Sequence, residues 1–142
     1  MKTIILIFLV TTTTSIYSQT KEYAGIYKRH FDINEEGSIE YQLELSPDGT
    51  FTFHNYRKIS AKNPEENQYG KGTWKIEKNN VLYFYTNKEN DLDEKYTLNF
   101  TNTKARYITK SLRDASEKEV KNHLRFYDSE ISWIKGNKLF RN

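Results

Sequence analysis

Between residues 39 and 45 apolar and polar side chains alternate without a break. Ile39, Tyr41, Leu43 and Leu45 fall on one side; Glu40, Gln42 and Glu44 fall on the other. A period of two predicts a strand with one buried and one wet face. Ser46-Pro47-Asp48-Gly49 follows as a turn, with Pro pre-setting φ and Gly supplying a left-handed residue. Residues 50–57 then resume the alternation, with Phe51 and Phe53 inward and Thr50, Thr52 and His54 outward. A second hairpin centres on Trp74. Trp74 and Ile76 share a face, and Lys78, Asn79 and Asn80 make a polar break that tolerates positive φ. Residues 81–86 (V-L-Y-F-Y-T) are rich in aromatic and β-branched types, so this strand is buried on both faces or turns its tyrosine hydroxyls to water. Gly70 and Gly72, flanking Lys71, mark a bulge or a close backbone approach.

The rest of the pattern is of the same kind. Residues 23–30 read as a first strand, 32–38 as a loop, and 60–68 as a polar loop with the second proline. Residues 87–94 form an acidic connection. In 95–101, Tyr96, Leu98 and Phe100 share a face, and Asn102-Thr103 makes a tight turn. Residues 104–112 are a weaker strand. Ser116 and Glu119 have capping-box spacing, which predicts one short helix over 116–124. Residues 124–127, 130–135 and 138–141 are three final short strands, the last two joined at Gly136-Asn137. Turns spaced by about 8–12 residues indicate an all-β sandwich or barrel. Sequential hairpins favour an antiparallel up-and-down meander of about 8–10 strands. Neither an internal repeat nor a second domain is visible.

The amino terminus departs from this pattern. Lys2 precedes an apolar run from Ile4 to Val10 and a polar stretch ending in small residues. This reads as a signal peptide, residues 1–18, cleaved after Ser18 and leaving one domain over residues 19–142. The run is too short for a permanent membrane anchor, and no cysteine follows it for lipid attachment. The chain has no cysteine at all, so an exported product relies on its core rather than disulfides. Export without disulfides leans towards a bacterial periplasmic or secreted location.

Formal net charge is +3, falling to +2 once Lys2 is removed, and no run of like charge suggests nucleic acid or a membrane surface as partner. The 11 Tyr, 8 Phe and 2 Trp are core and cross-strand partners in an all-β domain. Candidate chemistry is sparse. His30, His54 and His123 lack metal-ligand spacing. Asp91, Asp93 and Glu94 offer oxygen ligands to Ca²⁺ but lack the glycine and distal glutamate of an EF-hand; a solvated acidic loop fits them better. No nucleophile motif, metal-hydrolase motif, phosphate loop or cofactor fingerprint is present, which argues against an enzyme.

Gly25-Ile26-Tyr27, Asp48-Gly49-Thr50-Phe51, Gly72-Thr73-Trp74, Leu82 and Lys138-Leu139-Phe140-Arg141 form a series along the mature chain. It resembles the small exported lipocalin-like proteins of bacteria, in which a G-x-W or G-x-Y opening precedes L-x-x-D-G-T-F and G-x-W hairpins. Where lipocalins place Trp in the first strand with a late basic residue across it, this chain has Tyr27 and, as candidate partner, Arg141. The resemblance implies a meander barrel or half-barrel and no specific ligand. The expected function is binding of a small apolar or amphipathic ligand by a monomer, lined by Trp74, Phe51, Phe53, Tyr41, Leu82 and Tyr27. A filled core accounts for the same six equally well. The alternative is a secreted interaction module or inhibitor working through the loops 60–68 and 87–94. A hydrolytic enzyme ranks below both.

Overall fold

The alternating segments become strands, and the strands become the wall of a barrel. The computed structural model describes residues 19–142; the expected export segment, residues 1–18, lies outside the described residues. Nine strands follow a short helical segment at 19–23: β1 (Gly25–Asn34), β2 (Gly37–Leu45), β3 (Thr50–Lys58), β4 (Glu66–Glu77), β5 (Val81–Tyr85), β6 (Tyr96–Leu98), β7 (Thr103–Ile108), β8 (His123–Asp128) and β9 (Lys138–Arg141). Eight of them close a ring in the order β1-β2-β3-β4-β5-β7-β8-β9, with β9 returning to β1 and every neighbouring pair antiparallel. The all-β meander barrel expected from the hairpin sequence is therefore present.

The pleat decides what lies inside. Tyr41, Leu43 and Leu45 of β2, Phe51 and Phe53 of β3, Leu82 and Phe84 of β5, Ala105 and Tyr107 of β7, and Leu124 and Phe126 of β8 are all buried in one cluster. Their alternate neighbours point outward. For β5 this settles the open choice, because Tyr83 and Tyr85 face away from the core. The turn after β4 bends where Asn79 and Asn80 take φ of 63° and 57°, as the polar break requires. Gly70 and Gly72 mark close approaches. A Cβ on Gly70 would lie 2.6 Å from the buried Phe100 ring, and Gly72 (φ 159°) faces the Tyr85 carbonyl where a Cβ would stand.

Three expectations are corrected. Residues 116–124 form no helix: residues 111–119 are exposed, so two turns with a capping box have nothing to pack against, and His123 and Leu124 join β8 instead. Among the described residues helix lies instead at 19–23, with a 3-10 turn at Lys78–Asn80. Residues 130–135 are successive turns, not a strand; Ile134 N–H donates to the Ile131 carbonyl at 3.1 Å, which buries Ile134. β6 leaves the meander and lies parallel to β4 beside Tyr69 and Gly70, so that Phe100 covers Gly70. In addition, β1 and β4 extend beyond their expected ends into segments read as loops.

The two ends of the barrel differ. At one end residues 19–23 are tied across the opening. Thr20 Oγ1 donates to the Pro47 carbonyl (2.7 Å), and the Tyr23 hydroxyl to Asn80 Oδ1 (2.8 Å). The Tyr27 hydroxyl donates to the Tyr23 carbonyl (2.6 Å). Arg141 completes the seal by donating to the carbonyls of Glu22 (3.0 Å) and Ala24 (2.6 Å) and to the Tyr107 hydroxyl (3.1 Å). The other end carries the turn 35–36 and the loops 59–65, 86–95 and 129–137. Among the described residues no helix is long and apolar enough to cross a membrane.

Gly70→Ala is expected to cost about 1–3 kcal/mol, because the fully buried Phe100 ring has no room to yield. Urea unfolding measures this; an unchanged midpoint and slope would show that the ring can shift. Arg141→Met keeps the stem and removes the donors, and is expected to cost on the order of 2 kcal/mol in the same assay. A loss below about 0.5 kcal/mol would mean that the seal adds little to stability.

Candidate functional site

Register fixes how deep each inward side chain sits. Leu45 pairs with Gly25 and with Phe51 beside the sealed end, while Ile39 pairs with Phe31 and Arg57 beside the loop end. The six expected site residues are all inward and all in the single core cluster, but they spread along the whole axis. Trp74 lies at the sealed end, where its indole N–H is shared between the carbonyls of Thr50 (3.0 Å) and Ser46 (3.2 Å). It anchors the β2–β3 turn. Tyr27 also belongs to the seal, packing edge-on to Tyr107; burial pushes its phenol far above the ordinary value, opposed by the Arg141 charge. Leu82 and Phe51 also lie towards the sealed end, and Phe51 meets Phe84 and Phe100 edge-on, each at 5.2 Å. Only Tyr41 and Phe53 approach the loop end.

There they form a box with a residue the sequence did not single out. Trp133, in the 129–137 loop, stacks on Tyr41 at 5.7 Å and 10°, and lies 6.1 Å from Phe53. Phe31 closes the Tyr41 side edge-on at 6.2 Å. The loop is short of regular structure and is anchored to β8 by two backbone bonds with Phe126. Asn137 Nδ2 donates to the Trp133 carbonyl (2.7 Å), and Ile131 N–H donates to Ser129 Oγ (3.1 Å). Burial raises the Tyr41 phenol above its ordinary value; its bond with the Asn137 side chain and the charges of Arg57 and Arg29 pull the other way. The mouth is thus an aromatic box with two guanidinium groups near its rim.

Asn55 is the next inward residue of β3 after Phe53, and it faces Tyr41 across the β2–β3 ladder. It is 6% exposed. Its Nδ2 donates to Gln68 Oε1 at 3.0 Å, and its Oδ1 is buried without a hydrogen-bond partner. The signal for it was present in the sequence: a polar residue continues the apolar face started by Phe51 and Phe53.

The other candidates resolve into supports and outer surface. Asp91 accepts from the Asn87 amide (2.7 Å), and Asp93 accepts from the Lys95 and Tyr96 amides (2.8 Å each). Those amides, the Tyr96 one foremost, hold the Asp93 carboxyl below its usual range. These carboxylates fold their own loop. Among the described residues no three metal-ligating side chains converge. His54 stacks on Tyr69 at 4.6 Å on the outer wall. His30, also outward, lies 2.9 Å from Asp32 and 3.2 Å from Glu40. His123 is covered and bonds the Lys121 carbonyl through Nδ1 (2.9 Å). Two grooves mark the outside of the wall: one of about 440 Å³ over Lys75, Tyr83, Tyr85 and Lys104, and one of about 480 Å³ over Lys28, His30, Lys121 and Phe140.

No family model, curated protein or solved structure matches the chain.

The hydrogen bond to Asp32 first, and Glu40 after it, raise the His30 pKa above the ordinary histidine value. Its contribution to stability is therefore full below the ordinary histidine pKa and fades as pH rises through the raised value. An NMR titration of the imidazole is expected to show the raised pKa, and Asp32→Asn to bring it down. An unshifted titration in the wild-type protein contradicts this contact.

Proposed function

We propose that the protein is an exported, lipocalin-like binding protein, periplasmic or secreted, that acts as a monomer and without catalysis. It takes a small amphipathic ligand at the open mouth of the barrel. The observation that carries this reading is the near-parallel stack of Tyr41 and Trp133 at that mouth, beside Phe53. Flat aromatic walls with a few polar groups at the rim are what a small-molecule site requires. The rest of the interior is occupied by its own rings: Phe51, Phe53, Phe84, Phe100 and Phe126 pack at centroid distances of 5.0–6.2 Å. Space for a ligand comes from the mouth, when Trp133 swings aside with its loop and then closes on the guest. Arg29 and Arg57 stay at the water side for a polar head.

A second reading has its own observation. Tyr85 is 53% exposed beside the groove over Tyr83, an aromatic surface on the outer wall suited to a protein partner.

Titration with the amphipathic dye 1-anilinonaphthalene-8-sulfonate separates the two. One site is expected, weakened roughly five-fold by Tyr41→Leu, which removes a ring contact but keeps apolar volume. Tyr83→Ala is expected to leave the affinity unchanged. The reverse pattern places binding on the outer wall and overturns the mouth reading.

A further inference from the structure

We infer that Asn55 selects the ligand: its carbonyl oxygen accepts a hydrogen bond from a ligand O–H or N–H. The guest is therefore a flat apolar molecule bearing a donor, such as a phenol, a conjugated alcohol or an N–H heterocycle. This inference rests on the mouth being the binding site and names the chemistry of what enters it.

Three facts combine. Asn55 occupies an inward position of β3, in line with Phe51 and Phe53, where an apolar residue would satisfy the core. Its amide nitrogen is engaged by Gln68 on β4, which leaves the oxygen on the Tyr41 side, towards the aromatic box. That oxygen has no partner and no exposure to water. Buried acceptors are nearly always satisfied, so an orphan beside the aromatic box, level with Tyr41, is an unfilled half of a hydrogen bond. No donor from the box fills it, neither the Tyr41 hydroxyl nor the Trp133 indole N–H. Phe53 has none.

A donor-bearing guest meets both demands at once. Its ring enters between Tyr41 and Trp133, which closes on it, and its O–H or N–H reaches Oδ1. A guest of the same shape without the donor would cover the oxygen and leave it unpaired. Sites of this kind discriminate by the partner they strand more than by the contact they make.

The matched probes are 2-naphthol and 2-methoxynaphthalene, which share a ring system and differ in the donor. Calorimetric titration of the purified protein is expected to give about ten-fold tighter binding of 2-naphthol, the worth of one neutral buried hydrogen bond. Asn55→Leu is expected to bring 2-naphthol down to the affinity of 2-methoxynaphthalene while the latter changes less than two-fold. Asn55→Ala provides the same comparison if the leucine variant does not fold. Equal affinities in the wild-type protein, or a preference that survives in both variants, overturn the role of Asn55 and leave the mouth site standing. Failure of the wild-type protein to bind either probe overturns the mouth reading and this inference with it.

Discussion

The barrel depends on a short seam. β1 and β9 meet through only two paired residues on each side, Tyr27 with Arg141 and Lys28 with Phe140. By contrast β1 and β2, or β2 and β3, pair along most of their length. So little ladder would leave the ring open if nothing else held it. The Arg141 guanidinium supplies the rest, because its planar fork reaches two backbone carbonyls and a phenol that belong to two distant parts of the chain. It ties the last strand to the residues before the first strand and to β7 at once. Lysine in its place would bring a single charged point and no fork.

From this seam follows the asymmetry of the molecule. At the Arg141 end, residues 19–23, the β2–β3 turn and the turn after β4 are bound to one another by side-chain bonds, and Trp74 pins that β2–β3 turn from within. The middle is a set of interlocked rings, possible only because Gly70 and Gly72 let Phe100 and the Tyr85 backbone come close. The far end is covered by the 129–137 loop, which presents Trp133 to Tyr41 and is held by its own turn bonds, by two backbone bonds to Phe126 and by side-chain bonds to Asn102 and Thr103. A wall that is rigid at one end and covered by a loop at the other is a container with one opening.

Much of this was legible in the pattern of residues. The alternation in 39–45 and 50–57 placed Tyr41, Leu43, Phe51 and Phe53 on the inner face, and the Trp74 hairpin turned where its asparagines allow. Arg141 emerged as a partner for the first strand only through the family resemblance, and the structure brings it to that end. What escaped were features set by contacts far apart in sequence. Residues 130–135 read as a short strand, yet Ile131 and Ile134 turn into the core three residues apart. The capping box at Ser116 promised a helix that no apolar surface supports. Residues 19–23 became helical against a turn and a strand that no local pattern reveals. Asn55 is the exception: its place on an apolar face was visible, and only its missing donor needed coordinates.

The central claim is that one end of this barrel is locked and the other opens. Native-state hydrogen exchange resolved by residue addresses it directly, because local opening and global unfolding separate by their dependence on denaturant. The amides of Arg141 and Asn142, which bond the Asn122 and Ile26 carbonyls at the sealed end, are predicted to exchange only through global unfolding. Those of Ile134, Gly136 and Asn137 are predicted to exchange through an opening that is independent of denaturant and well below the global free energy. Equal protection at both ends, or a sealed end that opens first, would contradict the account.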